Sequence, residues 1–296
     1  MITVESISKI YSGRSAVEGL SFTVPDGQIT GLLGPNGAGK TSTIRMIMDI
    51  IKPDSGRIQI GSPDRRTPPE APGYLPEERG IYQKSRVLET LSYFASLRRP
   101  HETKHREELL HWLERFGLKE RAEDRIASLS KGNQQKLQLI IALLSRSGHL
   151  ILDEPFTGLD PANQVLVRDF LAEQKEKKTA ILLSTHQMDI AEKLCDRIVL
   201  LNEGRLLAED SLTALRETHS DGTLEFKLSR IRRNPPEHLL LDQVFKGDSL
   251  SGQLPKDRTL HEIIKEISVF ADLESFQKKS RSLEDIFLKL TGDSEQ

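Results

Sequence analysis

Apolar and polar residues alternate along "ITVESISKIY" (residues 2–11), then along "GLSFTV" (19–24) and "QITGLLG" (28–34). A period of two is what half-buried strands require, and "PDG" at Pro25–Gly27 separates the last two as a turn. The period then changes. Ile44, Ile47, Met48 and Ile51 fall on one helical face, and "KPDSG" (Lys52–Gly56) is expected to stop that helix. Residues 61–73 are rich in Pro and charge and read as loop. Helical spacing resumes between Ser85 and Arg125, with Leu88, Leu91 and Phe94 or Ala95 on one face and Leu109, Leu113 and Phe116 on another. Leu137, Ile140, Ile141 and Leu144 mark a further helix, and "HLILD" (149–153) a buried strand. Asp160 and Pro161 supply an N-cap and a first-turn proline for the next helix. "TAILLSTH" (179–186) is another buried strand, and "RIVLLNEGRLLAE" (197–209) a hairpin turning at "NEG". Strands alternating with helices predict a largely parallel sheet with helices on both faces, interrupted by an all-helical insert at about 85–145. Past about Ser220 the pattern resets. "GTLEFKL" and "SLSGQLP" read as strands, "TLHEIIKEISVF" and "SLEDIFLKLTG" as helices. The expected organisation is an α/β domain over 1–215 and a small α+β domain over 221–296, with no internal repeat.

Composition narrows the function classes. The chain has 296 residues, 36% hydrophobic and 29% charged, with a net charge of −2, so bulk charge gives no reason to expect nucleic-acid binding. Its single cysteine, Cys195, excludes an intrachain disulfide framework and favours a reducing compartment. "MITVESISKI" lacks a basic stretch followed by an apolar core, so no secretory signal is expected. Apolar runs such as "LIIALL" are far too short to span a bilayer, so any work at a membrane needs another chain to cross it.

The chemistry sits in two places. "GPNGAGKT" (Gly34–Thr41) fits G-x-x-x-x-G-K-[ST], between a predicted strand and a predicted helix, the context in which that pattern cradles phosphates. Small residues let backbone N–H groups close on phosphate oxygens, and the helix N-terminus adds positive partial charge. Gly34, Pro35, Asn36, Gly37, Ala38, Gly39, Lys40, Thr41 and the following Ser42 are therefore the expected ATP-binding residues. Lys40 reaches the β and γ phosphates, and the Thr41 hydroxyl ligates Mg²⁺. The second place is "HLILDEP". Asp153 at a strand end can hold Mg²⁺, and Glu154 can polarise a water attacking the γ-phosphate.

Further motifs follow in order: "LSKGNQQK" (129–136), "TGLDP" (157–161) and "STH" (184–186). With the phosphate loop and "LDEP" they make the chain, over about Met1–Leu212, resemble the ATP-binding subunits of ABC transporters. The resemblance implies a P-loop NTPase core with an N-terminal antiparallel β subdomain, using ATP and Mg²⁺. It implies that Tyr11 stacks on adenine and that His186 contacts the γ-phosphate. It also implies that Ser130 and Gly132 close over the nucleotide of a second ATP-binding subunit, as in a homodimer, with Asp160 on the loop lining that interface. The usual L-S-G-G-Q of the family reads Leu129-Ser130-Lys131-Gly132-Asn133 here; the hydroxyl, the glycine and the helix start are kept. In "GYLPEERGIY" (73–82) the family has Gln after Leu-Pro. Here Glu77 stands there, expected as a metal-side ligand, with Glu78 and Arg79 facing an integral membrane permease docked on the helical insert. The "LPEERGIY" form and the C-terminal extension resemble exporter ATPases of the sodium and drug efflux type. The implied place is the cytoplasmic face of the cell membrane. A soluble ABC-type ATPase acting on DNA or ribosomes is the alternative. A long coiled-coil insert or a second cassette would mark it, and the sequence has neither.

Other features read as structure. "HETKHREELLH" holds H-E-x-x-H at His101–His105 with His111 beyond. On a continuous helix His111 would lie about 9 Å further along the axis than His105, so a solvated helix face is expected, not zinc. "LRRPH" and "RIRRN" are expected to be solvated and Trp112 to be packed.

Overall fold

The computed structural model describes residues 1–61, 71–78, 80–98, 105–145, 147–279 and 281–292. It divides into two compact units, Met1–Leu212 and Thr213–Gln296.

In the first unit, β1 (Ile2–Tyr11) pairs antiparallel with β2 (Arg14–Val24). The alternation puts Ile2, Val4 and Ile7 of β1 and Val17, Leu20, Phe22 and Val24 of β2 into one core. β3 (Ile29–Leu33) leads into α1 (Lys40–Ile47). This helix ends a turn earlier than its apolar spacing suggests: Met48 is its C-cap, and Asp49 takes a left-handed backbone (φ 56°). Ile51 therefore lies beyond the helix, and the "KPDSG" segment does not stop it. β4 (Ser55–Ile60), not expected from the sequence pattern, pairs antiparallel with β1 on its other side. β5 (Gly73–Leu75) is short.

The insert holds α2 (Val87–Arg98), α3 (Arg106–Arg115) and α4 (Lys131–Leu143). The expected faces are buried: Leu88, Leu91 and Ala95 on α2, Leu109 and Leu113 on α3, Phe116 after it. Trp112 packs against Phe116 and Phe170, and the Arg115 guanidinium lies 5.6 Å from the Trp112 and Phe170 ring centres. The H-E-x-x-H segment departs from expectation. α3 begins only at Arg106, and His105 is its buried N-cap, not part of a solvated face. His111 is exposed on α3, and His101 and Glu102 lie outside the described residues.

β6 (His149–Asp153), α5 (Pro161–Glu176), β7 (Ala180–Thr185), α6 (Met188–Leu194), β8 (Arg197–Asn202) and β9 (Arg205–Ser211) complete the unit. The six-stranded sheet runs β5-β6-β7-β3-β8-β9, parallel except for β9, which returns from β8 as the expected hairpin. Every residue of β3, β6 and β7 is buried, as strands covered on both faces require. Their C-terminal ends lie at one edge of the sheet, where open α/β sheets bind ligands.

In the second unit α7 (Leu212–Thr218), which starts on the boundary residue, precedes β10 (Thr223–Ser229), β11 (Leu241–Lys246), β12 (Ser249–Gln253), α8 (Leu260–Phe270), β13 (Asp272–Lys278) and α9 (Leu283–Thr291). The antiparallel sheet runs β11-β12-β10-β13, with Phe226, Leu228 and Leu250 sharing a core with Ile263, Ile267 and Phe270 of α8. Reciprocal caps, Thr259 with Glu262 and Ser282 with Asp285, start α8 and α9. Arg230 and Arg232 of "RIRRN" pair with Asp272. Among the described residues no helix is long and apolar enough to cross a membrane.

Candidate functional site

The loop between β3 and α1 has the shape its glycines allow. Gly34 has φ 154°, and a Cβ there would sit 2.3 Å from the Leu201 carbonyl oxygen. Gly39 has φ 98°, and a Cβ would sit 2.5 Å from the Ala16 carbonyl oxygen. No other residue fits either place. The Ala38 N–H closes the turn on the Pro35 carbonyl at 3.2 Å. Lys40 is buried, and its ammonium donates to the carbonyls of Gly34 at 2.8 Å and Pro35 at 3.0 Å. Burial pushes its pKa down, while the carboxylates of Glu154, Asp153 and Glu77 pull it back up.

A cleft of about 280 Å³ opens over this loop, lined by Asn36, Gly37, Gly39, Lys40, Thr41, Ser42, Glu77, Asp153 and Glu154, with Ala16. Residues singled out from three separate stretches of the sequence thus meet in one place. Asp153 is 1% exposed. Its Oδ1 accepts from the Ser184 hydroxyl, and its Oδ2 is buried without a hydrogen-bond partner. Burial pushes the Asp153 carboxyl above its ordinary range. The Ser184 bond opposes this, the charges of Glu77 and Glu154 add to the push, and the Thr41 hydroxyl weakly opposes it.

Glu154 is buried with a left-handed backbone (φ 51°), which turns the chain sharply after β6. Its N–H donates to the Ser184 carbonyl at 3.2 Å. Its Oε1 accepts from the His186 N–H at 3.1 Å and from the His186 ring at Nδ1, 2.7 Å away. The hydroxyls of Thr157 and Thr185 reach Oε2 at 3.3 and 3.4 Å. A carboxylate held by this many donors is fixed in direction. Ser184 and Thr185 were not singled out from the sequence; the available signal was a hydroxyl pair directly before His186.

Of the expected residues, Gly34, Pro35 and Ala38 of the loop and His186, which bonds Glu154, are not in the cleft's lining, and neither are Tyr11, Ser130, Gly132 and Asp160. Tyr11 ends β1 and is 44% exposed, with the Lys9 ammonium 5.9 Å from its ring centre. Ser130 caps α4, accepting from the Asn133 N–H at 3.2 Å. Gly132 faces the loop after Glu154, where a Cβ would meet the Gly158 oxygen at 3.6 Å. Asp160 caps α5, both its oxygens taken by Asn163 at 2.8 and 2.9 Å. Glu78 is exposed, and Arg79 lies outside the described residues.

The cleft fits a hard divalent cation beside phosphate oxygens. The unpartnered Asp153 Oδ2, the Thr41 hydroxyl and the Glu77 carboxylate are all oxygen donors from residues that line it. Among the described residues no three His, Cys, Asp or Glu side chains form a ready metal cage.

Residues 17–157 match the family model described as ABC transporter. The chain is 35% identical over 301 residues to the uncharacterized ABC transporter ATP-binding protein YhaQ of Bacillus subtilis, covering 99% of each. It is 34% identical over 299 residues to the Nod factor export ATP-binding protein I of a Rhizobium species, covering 98% of this chain and 97% of that one. A solved structure of an ATP binding subunit of an ABC transporter superposes with a TM-score of 0.66 at 33% identity, over 74% of this chain and 92% of the other. The phosphate loop, the Asp153–Glu154 turn and His186 thus stand in a P-loop ATPase cassette, and the chain belongs to the ATP-binding subunits of ABC transporters, which hydrolyse ATP to drive transport.

Proposed function

We propose that two copies of this chain close over two ATP molecules and drive an export permease from the cytoplasmic face of the membrane. The observation that carries this reading is the cleft itself. Lys40, Thr41 and Asp153 converge there, beside a buried Glu154 whose carboxylate His186 orients at 2.7 Å.

In this reading the backbone N–H groups of Asn36, Gly37, Gly39, Lys40, Thr41 and Ser42 hold the triphosphate, Gly34, Pro35 and Ala38 shape the turn that presents them, and Tyr11 stacks on adenine. Lys40 leaves the carbonyls of Gly34 and Pro35 for the β and γ phosphates, exchanging neutral acceptors for charged ones. Thr41, Asp153 and Glu77 would hold Mg²⁺, which would supply positive charge to offset that of the phosphates. Glu154 accepts the proton of the attacking water as its oxygen bonds to the γ-phosphorus and the bond to the β-phosphate oxygen breaks. His186 keeps Glu154 aimed and places its exposed ring edge toward the γ-phosphate.

Ser130, Gly132 and Asp160 belong to the opposite copy's site. The first turn of α4 contains no acidic residue, and Lys131 opens it, so its N-terminus presents positive charge to an incoming anion. The permease docks beside Tyr82 and Tyr93. They are 68% and 52% exposed and line a groove of about 300 Å³ with Ser85, Glu89 and Thr90. Export is supported by the relative named for Nod factor export.

Purification of the tagged chain from native membranes tests this. The expected result is co-purification of an integral membrane protein, and ATPase activity that rises with the square of chain concentration at low occupancy. Capture of ribosomes or DNA with no membrane protein would sink the reading and favour a soluble ATPase.

A further inference from the structure

The segment "KPDSG" (52–56) has no part in ending α1, and the proposed function gives it no role. It holds the end of β1 instead. The ladder between β1 and β4 stops at Ser8 opposite Ser55, so Lys9, Ile10 and Tyr11 run past the last pair on that side. Asp54 takes over where the ladder stops. Its N–H donates to the Ser8 carbonyl at 2.8 Å, its Oδ2 accepts from the Ile10 N–H at 2.7 Å, and its Oδ1 accepts from the Lys9 ammonium at 2.7 Å. The Lys9 ammonium also donates to the Lys52 carbonyl at 2.8 Å.

The same ammonium lies over the Tyr11 ring, 5.9 Å from its centre. Residues two apart on a strand share a face, which sets Lys9 beside Tyr11. A lysine with a free head samples many rotamers and spends little time in any one place. This one is fixed: its side chain is 17% exposed, and two acceptors hold its head. The Lys9 bond first, and the Ile10 N–H second, hold the Asp54 carboxyl below its ordinary range, so the charge that anchors the ammonium persists at neutral pH. A cation so placed is attracted to the electron-rich face of the ring and restrains its direction.

We propose that Asp54 and Lys9 are positioning residues for the adenine base: together they clamp the end of β1 and set the direction of the Tyr11 ring. This rests on Tyr11 stacking on adenine, as in the proposed function. A stack needs a ring held parallel to the base and at a set distance from the phosphates. The clamp meets both needs. Lys9 restrains one face of the ring. Asp54 ties the end of β1 to the segment that follows α1, the helix whose first residues, Lys40 and Thr41, close the phosphate loop. Base and phosphates are thereby held from one length of chain.

Lys9→Met removes the cation and keeps an apolar stem; Asp54→Ala releases Lys9 and the Ile10 N–H together. Each is made in the full chain, alone and combined with Tyr11→Ala, with circular dichroism melts to verify folding. Binding of ADP with magnesium is measured calorimetrically, and that of inorganic tripolyphosphate, which lacks the base, by competition against ADP. Tyr11→Ala should weaken ADP by roughly 5- to 150-fold, the range of a lost base–aromatic stack, and leave tripolyphosphate unchanged. Lys9→Met should weaken ADP by roughly two- to fivefold, the range of an exposed cation–π contact, and Asp54→Ala at least as much. Neither should change tripolyphosphate binding, and neither should weaken ADP further in the Tyr11→Ala background. If Tyr11→Ala weakens ADP but Lys9→Met does not, the clamp is overturned while the stack stands. The clamp is equally overturned if Lys9→Met weakens tripolyphosphate as much as ADP, or weakens ADP as much without Tyr11 as with it. If Tyr11→Ala leaves ADP unchanged, the stack itself fails and the clamp's role with it. Should Asp54→Ala not fold, Lys9→Met alone decides.

Discussion

Replacing Asp153 by Asn should stabilise the nucleotide-free chain and abolish its stabilisation by magnesium and ATP. Asp153 is 1% exposed; one oxygen is held by Ser184, and the other is buried with no partner. A buried polar atom left unpaired costs about 1–3 kcal/mol, and more when charged. Burial pushes the Asp153 carboxyl upward, and Glu77 and Glu154 push the same way against the Ser184 bond. The folded state therefore binds this proton more tightly than the unfolded state. Ionisation at neutral pH works against folding, so the group's contribution is favourable at low pH and is lost as pH rises from the unfolded value of 3.8 through the higher folded one. Asn keeps an acceptor for Ser184 and removes the charge. Part of the gain is offset because Lys40 loses a carboxylate that favours its charged form. Asn still leaves its amide nitrogen buried without an acceptor, so only the excess cost of the charge is recovered, and the net expectation is about 1 kcal/mol, or roughly 2–4 °C of melting temperature for a unit of this size. Trp112, the chain's single tryptophan, lies in the first unit and reports its unfolding by fluorescence. At about pH 7.5 without nucleotide or magnesium the variant should melt above wild type, and the gap should close on acidification. Adding magnesium and ATP should raise wild type past the variant. A variant no more stable than wild type without ligand, or one that still gains from magnesium and ATP, refutes the reasoning.

Three further outcomes follow from named contacts. Glu154→Gln should retain ATP binding and lose about 10²–10⁴-fold in kcat, with His186→Ala close behind because Glu154 loses the 2.7 Å contact that directs it; single-turnover hydrolysis measures both, and near-wild-type turnover in either contradicts the role given to Glu154. Glu77→Gln should keep hydrolysis within about threefold while shifting its magnesium dependence, since an amide oxygen still ligates but carries no charge; wild-type behaviour of Glu77→Ala, titrated over magnesium, removes Glu77 from the site. Gly39→Ala should abolish ATP binding, because its Cβ would sit 2.5 Å from the Ala16 carbonyl oxygen, whereas Gly37→Ala, with open space around it, should cost only about 1–2 kcal/mol of backbone strain; equilibrium nucleotide binding compares the two.

Long periodic segments are legible in the sequence alone. The faces Leu88–Leu91–Ala95 and Leu109–Leu113–Phe116 are buried as their spacing requires, because each helix covers a core with one stripe. The elements missed are short or lie at sheet edges. β11 and β13 are the two edges of the second sheet, and most of their residues are exposed, so apolar alternation is weak there. α6 has only seven residues, too few for its period to register. α1 shows the opposite error. Ile51 fits the period, but Asp49, of a residue type that tolerates the left-handed region, turns the chain first, a local feature that apolar spacing does not register.

The site divides along the same line. Phosphate-loop chemistry is local: glycines, a lysine and a hydroxyl within eight residues, a pattern that spacing alone displays. Asp153 and Glu154 are also local, charged residues at the end of an apolar strand. Ser184 is not. Nothing in "LLST" ties its hydroxyl to a carboxylate 31 residues earlier. The tie comes from β6 and β7 pairing in parallel with Asp153 opposite Ser184, and from β7 lying between β6 and β3, with Leu33 opposite Thr185. That register sets the ends of three strands side by side, so that the phosphate loop, the Asp153–Glu154 turn and His186 leave the sheet at one edge. A slip of one residue between β6 and β7 would turn Ser184 to the opposite face and take its hydroxyl away from Asp153. Sheet register thus determines whether the Asp153 carboxylate is held by Ser184 or stranded, and register depends on pairings that no single stretch of this sequence contains.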